Sequence, residues 1–142
     1  MAADDLYREY LVELYRHPHN YGLMAAPDLR QEGQNPLCGD EVTIDLRLEG
    51  ERVAEARFEG RGCAVSMAAA SILTDLAPGR TLAELVAMGD EEMLAEIGLP
   101  SLTPARRKCA LLALKTLQVG ARARGEAGVG AGAEAGSGKE EG

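Results

Sequence analysis

Val42-Thr43-Ile44-Asp45-Leu46-Arg47-Leu48, Glu49-Gly50-Glu51-Arg52 and Val53-Ala54-Glu55-Ala56-Arg57-Phe58 form the stretch on which the fold turns. In the first run apolar and polar residues alternate strictly. That is the period of a strand with one buried face, because successive side chains point to opposite sides of a sheet. The charged tetrapeptide around Gly50 reads as a turn, and the second run as a strand pairing antiparallel with the first. Gly60 and Gly62 bracket the next bend, and the Ala-rich run from Ala64 to Leu73 reads as a helix that stops near Pro78-Gly79. A hairpin running straight into a helix puts Cys63 at the helix N-terminus.

Working outward, Leu6, Tyr10, Leu11 and Leu14 recur at near-helical spacing, so residues 5–17 read as an amphipathic helix ending at Pro18. Residues 18–37, rich in Pro, Asn, Gly and Gln, read as irregular loop. Thr81 with Glu84 has the pattern of a capping box and opens a short helix, and another is expected from Asp90 to Ile97. Thr103-Pro104 pairs an N-cap with proline at the first helical position, predicting a long last helix through Leu111, Leu112, Leu114 and Leu117. Beyond about residue 120 the chain is Gly, Ala and Glu with almost no large apolar side chain, too little to offset the entropy of ordering it. The expectation is one domain over residues 1–119 and a disordered tail over 120–142, without chemistry of its own.

Composition narrows the function. At 142 residues and 46% hydrophobic content the chain suits one domain with a real core. A net charge of -8 and a pI near 4.8 argue against nucleic acid as partner, since phosphates reward clustered Lys and Arg. The acidic start Met1-Ala2-Ala3-Asp4-Asp5 is unlike a secretory signal, and no apolar run approaches the length of a membrane span. A cytoplasmic location follows as the expectation. In that reducing compartment three cysteines read as metal-binding or reactive thiols, not as a disulfide framework. The triplet Arg106-Arg107-Lys108 is a local exception to the acidic character, and charge alone favours a solvated helix face for it.

The three cysteines carry the chemistry. They stand in Asn35-Pro36-Leu37-Cys38-Gly39-Asp40, Gly60-Arg61-Gly62-Cys63-Ala64 and Arg106-Arg107-Lys108-Cys109. With Asp40 beside the first, they form a candidate four-ligand soft-metal site. Thiolate is the form that both attacks and ligates, and its pKa falls at helix N-termini and beside cations. Cys63 is expected to have the first feature and Cys109 both. Gly39 lets the backbone turn so that Cys38 and Asp40 converge on one ion; Asp40 as a helix or turn cap is the alternative. Cys63 follows Cys38 by 25 residues (63 − 38) and Cys109 follows Cys63 by 46 (109 − 63), unlike the paired C-x-x-C knuckles of structural zinc modules. Spacing alone therefore leaves open whether all three converge or some are small buried hydrophobes. His17 and His19 read as solvated loop residues. They are the only histidines, and no nucleophile-elbow pattern accompanies a serine, which argues against a Ser-His-Asp hydrolase. Gly60-Arg61-Gly62 is a fragment of a phosphate-binding loop at most, and better explained as the bend presenting Cys63.

Taken together, Asn35-Pro36-Leu37-Cys38-Gly39-Asp40, the run from Ala56 to Ser71 and Lys108-Cys109-Ala110-Leu111-Leu112-Ala113 closely resemble the iron-sulfur cluster assembly scaffolds of the IscU, SufU and NifU N-terminal family. The likeness covers roughly residues 5–119. It implies an α+β fold of SufE/NifU-like architecture, a small antiparallel sheet of about three strands packed against helices, with the cysteine loops gathered at one end. Cys38, Cys63 and Cys109 match the family's ligand cysteines, and Asp40 the aspartate thought to keep the bound cluster labile. Lys108 stands where the IscU branch keeps histidine, as in SufU proteins, yet the short separation of Cys63 and Cys109 leaves little room for the usual SufU insertion. Two functions follow from the resemblance. In one, a cysteine desulfurase delivers sulfur, iron enters, and a [2Fe-2S] cluster forms on the three cysteines for transfer to apo-proteins or carriers. In the other, Zn²⁺ rests on Cys38, Asp40, Cys63 and Cys109 and the chain is a sulfur acceptor, with Cys38 receiving the sulfur and Lys108 holding the released thiolate or persulfide. The first is a carrier's role and the second that of a sulfurtransferase serving a cysteine desulfurase, in either case for a monomer or weak homo-oligomer. The Leu99-Pro100-Ser101-Leu102-Thr103-Pro104 segment departs from the Leu-Pro-Pro-Val-Lys sequence that chaperones read in the IscU branch.

Overall fold

The structure is a computed structural model that describes residues 3–36, 38–98 and 102–127. Among these, the elements run α1 (Ala3–Arg16), β1 (Leu29–Asn35), β2 (Asp40–Glu49), β3 (Arg52–Arg61), α2 (Ala64–Leu76), α3 (Leu82–Ala87), α4 (Asp90–Ile97) and α5 (Pro104–Ala127). The strands form one antiparallel sheet in the order β1-β2-β3. Ile44, Leu46 and Phe58 of the expected hairpin are completely buried, with Ile44 opposite Phe58 in register. Their shared face meets α2 and α5, and α1 packs on α2 from outside. α2 is buried along most of its length, and its Ala68-Ala69-Ala70 run lets neighbouring elements approach closely. The α+β class and the three-stranded sheet stand as expected.

The structure corrects two boundaries. The segment expected to be irregular loop contains β1, the third strand. Its sequence, Leu29-Arg30-Gln31-Glu32-Gly33-Gln34-Asn35, has one large apolar residue, so no hydrophobic alternation announces it. β1 is an edge strand covered by α5, and it packs by closeness: a Cβ on Gly33 would collide with the Thr116 side chain. Before β1, residues 20–22 hydrogen-bond along the outer edge of β3, through Gly22 N to Phe58 O and Phe58 N to Asn20 O. At the other end, α5 continues past residue 120 to Ala127. Ala121 is buried there, and Ala, Arg and Glu propagate a helix already nucleated without needing apolar side chains. The rest of the expected tail, residues 128–142, lies outside the described residues, as does the first half of the chaperone-type segment, residues 99–101.

Buried charge fixes the connection into the sheet. Asp45 is fully buried and paired with Arg30, whose Nε and Nη2 reach its two oxygens at 2.6 and 2.7 Å, while Met24 N donates to it at 2.7 Å. Burial works against the Asp45 charge, but Arg30 and the Met24 amide outweigh it and hold the carboxyl below its ordinary range.

Candidate metal centre

Three separate elements bring the cysteines to one end of the sheet. Cys38 sits in the turn joining β1 to β2, where Cys38 N and Gly39 N both donate to Asn35 O at 3.1 and 2.9 Å. Gly39 has φ +73, a conformation that side chains with a Cβ rarely adopt, so glycine makes this turn possible. Asp40 opens β2 on its core-facing side and is 1% exposed. Cys63 is the N-cap of α2, and Cys109 lies in the second turn of α5, facing inward at 2% exposure.

The ligating atoms of Cys38, Asp40 and Cys109 all lie within 4.8 Å of one another, and the two sulfurs are 3.6 Å apart. Asp40 divides its work between two oxygens. Oδ1 accepts from Cys63 N at 3.1 Å and so caps α2, which was the alternative reading of this residue. Oδ2 is buried and has no hydrogen-bond partner. Such an atom is costly unless a cation or donor reaches it. Cys63 stands outside the 4.8 Å group, with its sulfur 3.8 Å from Ser66 Oγ, but it lines the same cleft of ≈ 420 Å³ as Cys38, Asp40, Gly62, Ala105, Arg106 and Cys109. Gly62 has to be glycine here, because a Cβ would meet Asp40 Oδ1 and Ser66 Oγ. Three sulfurs and one carboxylate oxygen form a donor set that suits Zn²⁺ or the iron of a cluster.

The two α-helical cysteines differ in their readiness to ionise. Burial raises the Cys63 thiol, but hydrogen bonds from the Ser66 backbone and hydroxyl and from Cys109 outweigh it, leaving the thiol below its ordinary range. Cys109 goes the other way, contrary to expectation. Burial pushes its thiol far up, and the neighbouring Asp40, Cys38 and Cys63 push it in the same direction, with the thiol set to donate to Cys38 Sγ. Two residues of the basic triplet point elsewhere: Arg107 pairs with Glu91 at 2.6 Å, and Lys108 is exposed and is not among the residues lining the cleft. The cation that does line it is Arg106. Residues three apart share a helix face, so the spacing of Arg106 and Cys109 carried that signal, whereas the residue next to Cys109 points about 100° away. Asn35 and Ser66, both buried beside the ligands, carried no signal of their own in the sequence. His19 lies against α2, with Nδ1 2.6 Å from Asp75 Oδ2, and His17 lies 3.9 Å from Glu13; neither joins the cysteines.

Residues 6–124 match the NifU-like N terminal domain, and the chain belongs to that family. It is 33% identical over 136 residues to the zinc-dependent sulfurtransferase SufU of Bacillus subtilis, covering 82% of this chain and 90% of that protein. It is 32% identical over 133 residues to the iron-sulfur cluster assembly scaffold protein IscU of Thermotoga maritima, covering 83% and 94%. The fold is shared with the crystal structure of a nitrogen-fixing NifU-like protein (N-terminal) from Brucella abortus, at TM-score 0.68 and 25% identity, covering 84% of this chain and 94% of that one. No helix among the described residues is long and apolar enough to cross a membrane.

Proposed function

We propose that this chain is an iron-sulfur cluster assembly scaffold that takes sulfur from a cysteine desulfurase, binds iron, and carries a [2Fe-2S] cluster to apo-proteins. The observation that supports this most is the gathering of Cys38, Asp40 and Cys109 within 4.8 Å around the unpartnered Asp40 Oδ2, with Cys63 on the same cleft. Cys38 is the acceptor thiol, because it is the exposed cysteine while Cys63 is half-buried and Cys109 buried. Its thiolate attacks the outer sulfur of the donor's persulfide, the donor's S–S bond breaks, and the donor cysteine leaves as thiolate. Two electrons from an external reductant then release the outer sulfur as sulfide and return Cys38 to thiolate, so that Cys38, Cys63 and Cys109 would hold the cluster, while Asp40 would supply a hard oxygen among soft sulfurs, a weaker bond that suits a cargo meant to leave. The role is that of a carrier, not a catalyst, within a reducing cytoplasm where its thiols stay free. The domain, with α5 running to Ala127, contains every group this requires, and residues 128–142 add no chemistry.

A second reading has its own support in Lys108, where the IscU branch keeps histidine, and in the identity to a protein named as a zinc-dependent sulfurtransferase. In it Zn²⁺ would rest on Cys38, Asp40, Cys63 and Cys109 and would stabilise the three cysteines as thiolates. One experiment separates the two. Anaerobic incubation with iron, cysteine and a desulfurase develops visible charge-transfer absorption in the scaffold reading, which a Cys63→Ser variant loses and an added apo-acceptor removes. Persistent absence of colour, with desulfurase turnover rising only for zinc-loaded protein, establishes the sulfur acceptor instead.

A further inference from the structure

Two buried side-chain polar atoms among the described residues have no hydrogen-bond partner, and they are complementary: Asn35 Nδ2, a donor, and Asp40 Oδ2, an acceptor. They are also neighbours. The β1-β2 register sets Asn35 directly opposite Asp40. Opposed residues in an antiparallel pair share a face with Cβ atoms about 5 Å apart. Both are buried, at 7% and 1% exposure. The backbone of Asn35 is committed, because its carbonyl accepts from Cys38 N and Gly39 N. Its amide is thus held beside the ligand turn with nothing to do there but meet Asp40 or whatever Asp40 binds. Asn35 takes no part in the chemistry described above.

We propose that Asn35 is the positioning residue of the site: its amide, unpartnered beside the equally unpartnered Asp40 Oδ2, turns to donate to that oxygen when the ligands close on a metal, and directs its remaining lone pair toward the cleft. The inference rests on reading Cys38, Asp40, Cys63 and Cys109 as one ligand set. A carboxylate oxygen has two lone pairs, so one oxygen serves the amide and the metal together. With Oδ1 held by Cys63 N, a second hold on Oδ2 stops the carboxylate from swinging. Partners of this outer kind hold a ligating group in its orientation on the metal, which raises affinity.

The test is the Zn²⁺ affinity of the apo-protein, measured by competition with a chromophoric chelator, for the wild type, Asn35→Ala, Asp40→Ala and the double variant. Asn35→Ala is expected to weaken binding by roughly 10–100-fold, the usual cost of losing such a partner, and to cost nothing further when Asp40 is already absent. The same loss in both backgrounds would reduce Asn35 to a structural residue and overturn the proposal, as would no loss in the wild-type background. Asn35→Leu keeps the side-chain volume without the donor and must behave like Asn35→Ala, which guards against a cavity that unfolds the turn. A wild type that binds no Zn²⁺ refutes the ligand set itself, and this inference with it. Equal affinity in wild type and Asn35→Ala refutes the inference alone.

Discussion

Asp45 shows how a single buried carboxylate ties a connecting segment to the sheet. Its pKa is depressed, so it contributes stability that is present above its unfolded value, near 3.8, and is lost as pH falls through the lower folded value. Arg30→Ala is therefore expected to be less stable than the wild type at neutral pH, with the gap closing as pH falls below that range, read from urea midpoints at several pH values. A gap that persists unchanged in acid would mean that Arg30 acts through packing alone. Residues at the candidate metal centre were unequally legible. Cys38, Asp40 and Cys63 could be placed because Gly39, and Gly60 with Gly62, mark the bends presenting them. Lys108 drew attention by adjacency to Cys109, while helix geometry gives the cleft to Arg106. The direction of the Cys109 thiol was illegible, since its burial depends on β2 and α2 covering it.

Among the elements, those closed by local chemistry were readable and those closed by contact were not. The capping box at α3 is present as its sequence predicts: Thr81 Oγ1 accepts from Glu84 N at 3.0 Å and Glu84 Oε1 accepts from Thr81 N at 2.9 Å. Thr81→Ala removes one of these bonds and should cost about 1 kcal/mol in denaturant unfolding. A loss near zero would mean that α3 is held by Leu85 in the core and not by its cap. α5 similarly begins where Thr103-Pro104 predicts, with Arg106 N donating to Thr103 Oγ1 at 3.3 Å. β1 is the counter-example. Its core-facing positions are Leu29, Gln31, Gly33 and Asn35, so the pattern rule has one apolar residue to find, and what holds the strand is the ladder to β2 and the close passage of α5.

At the scale of the whole molecule, separations of 25 and 46 residues said little, because the candidate ligand cysteines come from a β-turn, a helix N-cap and an inward-facing helical position. Their meeting is a property of the packed fold: the sheet end, α2 and α5 must close together before Cys38 lies 3.6 Å from Cys109. Resemblance supplied what spacing lacked, since the three flanking motifs, in order, implied the site before packing was known. The central claim is that cluster and zinc share this one ligand set, and the most direct measurement titrates Zn²⁺ into apo-protein before anaerobic cluster reconstitution. The account predicts that iron and sulfide uptake falls in proportion to added zinc and vanishes at one equivalent per chain. A full complement of cluster on protein that has kept its zinc would contradict it.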